Sequence, residues 1–271
     1  MELIIGIIGL AVVMGLFFMF ALLHWPGEFD EETVHGTKSS VYGERVHYQS
    51  IIRQPYNTWS NLVAVVLGLI ALVWLCAAHP PKHPANPMQT PSLYSAWYAY
   101  ALMFLGPGSM FFHASMKRWG GLVDNVSMNL YISFILLYDL ARLTKAAPAV
   151  VIILFVVLNV VLAGLIWLLN CGKTVFAILI GLTLLCEGLI LFGHVGGLER
   201  NGLWLLFGLI AFGIGFVIWN LSNDEVKLPL VGSLGRGPLY MPDSWFQGHA
   251  VWHILSAAAA FLFFLYFRSE T

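Results

Sequence analysis

Residues 148–168 read PAVVIILFVVLNVVLAGLIWL, a stretch without a single charged side chain. At 1.5 Å per residue, about 20 such residues cross the roughly 30 Å hydrocarbon core of a bilayer as one helix. A helix at the surface of a water-soluble protein keeps a polar face, and this stretch has none, Asn159 being its one strongly polar side chain. In lipid every backbone N–H and C=O must be satisfied internally, so a helix is the form such a stretch takes.

Comparable stretches lie on both sides of it, at 3–24, 57–78, 92–113, 120–143, 173–194, 201–221 and 245–267. The fold class expected is all-α: a polytopic membrane protein with a seven-transmembrane-helix core and one extra N-terminal transmembrane helix. The composition agrees, with 59% hydrophobic and only 10% charged residues and a mean hydropathy of +0.80, where a soluble domain carries about 25% charged residues. The organisation read from this is an added helix over 1–24, a connecting segment over 25–56 and a core over 57–271. The chain opens Met1-Glu2 without a positive leader, so the first stretch is read as a retained helix rather than a signal peptide. A formal charge of −1 and the lack of a basic patch leave no electrostatic case for nucleic acid. Cys76, Cys171 and Cys186 have no CxxC spacing and read as small buried hydrophobes. Glycines such as Gly164, Gly181, Gly208, Gly213 and Gly215 allow helices to approach closely.

Short connections make consecutive helices antiparallel, and counting helix ends sorts the polar residues. The end of the third helix at His113, the start of the fourth near Asp124 and the start of the eighth at His249 and His253 fall on one face. The long segments 25–56 and 222–244 fall there too. Eight Lys/Arg lie on this side and five on the other, a weak bias towards the cytoplasm by the positive-inside rule.

His249 and His253 are four apart and share a helix face, so both imidazoles can reach one metal ion; two interfacial anchors would show the same spacing. Ser109 and His113 repeat it in Gly106-Pro107-Gly108-Ser109-Met110-Phe111-Phe112-His113, where the proline and glycines are expected to loosen the helix. Ser109 lacks the GxSxG elbow of a nucleophilic serine. Asp124, at membrane depth, is either a functional carboxylate or a cap on the fourth helix. Three imidazoles with an open fourth position form a catalytic zinc site, whose water is acidified for attack on a carbonyl. Asp124 then serves as proton acceptor and Ser109 as hydrogen-bond donor.

In Ser109-x3-His113, Asp124 and His249-x3-His253, together with Gln54-Pro55-Tyr56-Asn57-Thr58-Trp59-Ser60-Asn61, the chain resembles the alkaline ceramidase family. That family belongs to a wider group of seven-helix zinc hydrolases which includes the adiponectin-type receptors. The resemblance covers about residues 42–267 and suggests a bacterial branch. It implies a zinc-dependent amidohydrolase of ceramide-like lipids. His113, His249 and His253 would be metal ligands, Asp124 and Ser109 catalytic, and Asn57 and Asn61 weaker substrate candidates. Animal members carry a calcium site for which Val41-Tyr42-Gly43-Glu44-Arg45 and Gln54 are a poor match, so calcium is not expected. The setting implied is a multi-pass protein of a bacterial inner membrane, or of an endomembrane in a eukaryote, with a lipid partner; oligomeric state is not legible. A receptor-like or scaffolding protein with structural zinc, a lipid ester hydrolase and a haem carrier are the competing readings. His249 and His253, on one helix face, cannot be opposed axial ligands of one haem.

Of the other histidines, His79, His83 and His194 are expected on the opposite face, and His24, His35 and His47 in or beside a loop. Glu187 and Asn159 are expected to form interhelical hydrogen bonds. Glu28, Asp30, Glu31 and Glu32 read as a solvated run, and Trp25, Trp97, Tyr100, Trp204 and Trp219 as interfacial or chain-lining rings.

Overall fold

Each apolar stretch is helical in the computed structural model, which describes residues 1–33, 36–77, 82–83, 85–193, 199–228 and 232–271. The elements are α1 (Glu2–Leu22), a hairpin of β1 (Ser40–Val41) and β2 (Glu44–Arg45), α2 (Pro55–Trp59), α3 (Leu62–Cys76) and α4 (Leu93–Ser115). They continue with α5 (Arg118–Thr144), α6 (Pro148–Leu169), α7 (Gly172–Gly193), α8 (Gly202–Leu221), a hairpin of β3 (Lys227–Leu228) and β4 (Gly232–Ser233), and α9 (Gly248–Arg268). Counting α2 and α3 as one crossing, seven of these helices are long and apolar enough to span a membrane. The protein is an all-α polytopic membrane protein.

The exception is α4, which is long enough but less apolar. Its place explains this: every residue from Gly106 to Ser115 is buried, because α4 packs between α3 and α5 in the interior of the bundle. A helix surrounded by other helices is released from lipid's demand for an apolar surface. Ser92 starts it with a reciprocal capping box to Ser95. The expectation that Pro107 and its glycines loosen this helix is not met, since it runs unbroken through them. The glycines serve close approach instead: a Cβ at Gly106 would stand 2.7 Å from the Asn61 carbonyl, and one at Gly108 would overlap Ser127.

The second crossing, expected as one helix, breaks at Ser60 and Asn61. Their side chains donate to the Asn57 carbonyl at 3.2 and 2.7 Å, and such local bonds compete with the helical ladder. Other expectations also need correcting. Cys186 is buried, but Cys171 is only half-buried and Cys76 exposed; all three are free. Trp25 is a core residue, 1% exposed and packed on Phe17 and Phe111. Asn159 does bond across helices, to Ser133 at 2.8 Å. Positions 35, 79 and 194, three of the histidines, lie outside the described residues.

Helix α7 lies along α5, and α8 along α9, but α7 and α8 are not closely packed together. The two pairs are joined at the end of the bundle away from His113 by an ionic knot. The fully buried Arg200 guanidinium meets Asp139 at 3.1 Å, Glu187 at 2.8 Å and Glu270 at 2.8 Å. Tyr266 also donates to Glu187, and Arg142 to Glu270. Removing one partner from a buried ion network leaves the others uncompensated, a loss of about 3–5 kcal/mol. Arg200→Met is therefore expected to lower the thermal unfolding midpoint sharply in detergent. An unchanged midpoint would show that the knot contributes nothing to stability.

Candidate metal centre

Near its C-terminus α4 carries Ser109 and His113 one turn apart, and α9 carries His249 and His253 in its first turns. Packing of the bundle brings the three rings together, with centroids 4.9 Å apart for His113 and His249, 5.0 Å for His113 and His253, and 4.5 Å for His249 and His253. All three side chains are buried, and one nitrogen from each lies within 4.8 Å of the others. His249 Nε2 is 3.2 Å from His113 Nε2. Two facing ring nitrogens at that distance need a proton or a cation between them.

The far side of His113 is held by Gln54. The Gln54 amide nitrogen donates to the carbonyls of Val41 and Glu44, which turns its Oε1 towards His113 Nδ1 at 2.7 Å. Nδ1 must then carry the proton, leaving the Nε2 lone pair facing the other two rings. His253 Nδ1 lies 2.9 Å from Ser60 Oγ, which spends its own proton on the Asn57 carbonyl and so can accept. Asn61 Nδ2, a donor bonded to the Asn57 carbonyl, stands 3.1 Å from the same nitrogen without accepting from it. Backing of this kind orients metal-ligating imidazoles. His249 has no such partner: its Nδ1 is buried without a hydrogen bond. Instead its ring lies against Tyr42, at 4.8 Å and 32°, and against Trp219, at 5.5 Å and 61°.

Ser109 Oγ is 3.4 Å from His253 Nε2 and interacts with the Asp124 carboxyl group. Asp124 sits in the second turn of α5, whose N-cap is Lys117, so it is not a capping residue. Asp30 acts electrostatically on Asp124 and lies beside Gly121; it is not part of a wholly solvated acidic run. Asn57 and Asn61 are fully or nearly fully buried behind His253. His24 and His47 are exposed and His83 is partly exposed; all three stand outside the cluster. Three neutral imidazoles, two with their outer nitrogens backed, are a donor set that fits zinc.

The two long loops close over this centre. Arg45 is ion-paired with Asp243 and its N–H donates to the Pro242 carbonyl, while Ser40 Oγ meets the Tyr240 hydroxyl. In the first hairpin Tyr42 and Gly43, at φ +52° and +79°, form a two-residue turn of the primed type. Glycine suits such a position, but for a tyrosine the left-handed conformation costs about 1–2 kcal/mol. Beneath the turn Glu44, 2% exposed, accepts the N–H groups of Tyr56 and Asn57 at 2.9 and 2.8 Å. Gln54, Ser60, Tyr42 and Trp219 had no role singled out from sequence. Gln54 and Ser60 had left a trace there in the polar run opening the second crossing, Tyr42 in the run compared with a calcium site, and Trp219 as an interfacial or chain-lining ring.

The fold and centre define a class: a multi-pass membrane protein with a buried three-histidine cluster under a two-loop cover. The family model described as Ceramidase matches residues 47–270, and the chain belongs to the ceramidase family. The curated proteins yielded no match.

Burial pushes the Glu44 carboxyl up to about 7, against the lowering effect of the Asn57 and Tyr56 N–H bonds. The folded state therefore holds this proton over a range in which the unfolded chain, at about 4.3, has lost it. Stability contributed by Glu44 falls as pH rises from there to about 7 and is level above. Unfolding free energies of the wild type minus those of Glu44→Gln are expected to decline across that window. A flat difference would mean the carboxyl is not shifted.

Proposed function

We propose that this chain is a zinc-dependent hydrolase that cleaves the amide bond of a ceramide-like lipid within the membrane. Membership of the ceramidase family supports a lipid amidohydrolase. The observation that carries the mechanism is the meeting of His113, His249 and His253, with Ser109 Oγ 3.4 Å from His253 Nε2 and Asp124 next to Ser109. His113, His249 and His253 would hold the metal. A bound zinc supplies Lewis acidity, polarising a carbonyl oxygen and acidifying water at neutral pH.

The protein's own groups supply the rest. Asp124 takes a proton from the attacking water and returns it to the departing nitrogen as the C–N bond breaks, giving a fatty acid and a free amine. Ser109, next to Asp124, stands close enough to His253 to donate to the developing oxyanion. Asn57 and Asn61 lie beside His253, where the Asn57 carbonyl accepts from Ser60 and Asn61. The loose junction between α7 and α8 suits sideways entry of an acyl chain from lipid.

Purified protein is expected to hold about one zinc per chain, as a three-histidine site requires. His249→Ala should lose the metal and release no fatty acid from a ceramide panel. Asp124→Asn should keep the metal while turnover falls about 10²–10⁴-fold, the usual share of general acid–base catalysis. Full hydrolysis by His249→Ala would rule the mechanism out. Undiminished hydrolysis by Asp124→Asn would remove Asp124 from it.

A further inference from the structure

The three rings are supported unequally. His113 and His253 each have a side-chain partner at Nδ1, and His249 has none. What His249 has is two aromatic neighbours from different parts of the chain, Tyr42 from the loop hairpin and Trp219 from α8. The Trp219 indole nitrogen is also buried without a hydrogen bond, so its contact with His249 is through the ring and not through its N–H. Tyr42 is tilted 32° to the His249 imidazole and meets His113 edge-on at 5.6 Å.

A second observation points the same way. Tyr42 occupies a turn position at φ +52°, where glycine or asparagine is the natural choice. A bulky residue kept in a disfavoured backbone conformation, against local preference, marks a place where the side chain has a task.

We infer that Tyr42 and Trp219 form an aromatic clamp that positions His249 as a metal ligand, replacing the hydrogen-bonded backing given to the other two histidines. Tyr42 is thus a positioning residue: it acts on the metal through His249. The hairpin bearing it is anchored to Pro242 and Asp243, so the contacts between the two loops also hold Tyr42 against His249. The inference rests on the zinc reading above.

Tyr42→Gly tests it without endangering the turn, since glycine is at ease at this φ. The full-length protein is assayed for zinc affinity by chelator competition, for its visible spectrum with cobalt in place of zinc, and for its unfolding midpoint. Loss of the clamp should weaken zinc binding by about 10- to 100-fold, as losses of outer support typically do, and alter the cobalt spectrum. Because glycine also removes the ring's packing on Phe112, the metal-free midpoint is expected to fall, and affinities are compared at a temperature where both proteins are folded. Tyr42→Phe, which keeps the ring, should retain wild-type affinity. Wild-type affinity and spectrum in Tyr42→Gly would overturn the clamp while leaving the zinc reading intact, as would a Tyr42→Phe variant as impaired as glycine. A wild-type protein that binds no zinc would overturn both.

Discussion

An imidazole buried in a helix bundle inside lipid has no water to complete its hydrogen bonding, so a nitrogen that neither the protein nor a bound ion provides for is costly, as at His249 Nδ1. At His113 and His253 the outer nitrogen is satisfied by Gln54 and Ser60, and the inner one is thereby aimed at a common point. Much of the local architecture follows from meeting this demand. Gln54 is held by carbonyls of the first hairpin. Ser60 and Asn61 reach His253 from a place where the second crossing gives up its helical ladder. The irregular backbone is tolerated because it is enclosed by protein rather than exposed to hydrocarbon.

The bundle around the centre is uneven in a way that suits a lipid substrate. The pairs α5–α7 and α8–α9 are tied through Arg200 at one end, where buried charge is matched by buried charge. Towards the histidines no comparable tie joins α7 to α8 among the described residues. Rigidity and access are thus separated along the bundle, and the loops rather than the helices close the polar side of the site.

Apolar length made the helices legible in the sequence, since nothing but a bilayer calls for so many uncharged stretches. Counting their ends was enough to gather His113, His249, His253 and Asp124 on one face, because short connections leave little freedom of direction. What did not show was anything dependent on side-chain geometry. The break at Ser60 comes from competing local hydrogen bonds that hydropathy does not register. The role of Gln54 arises from a loop fold with only two two-residue strands. Trp219 looked like an ordinary membrane aromatic, and Tyr42 stood only in a run compared with a calcium site, since ring orientation leaves no mark in composition. Trp25 was misplaced for the same reason: a tryptophan near a helix end suits the interface and the core equally well.

Helix α4 carries Ser109 and His113, and it alone among the described long helices falls short of the apolarity expected of a membrane crossing. The translocation machinery reads each emerging segment largely by its own hydrophobicity. This segment, uncharged but rich in small and polar residues, therefore gains from the shielding of α3 and α5 as it leaves the translocon. An insertion assay on α4 alone, compared with the α3–α5 unit, would reveal that dependence, and efficient insertion of α4 by itself would refute it. Seen this way, polarity at a membrane active site is a burden on biogenesis as well as on folding.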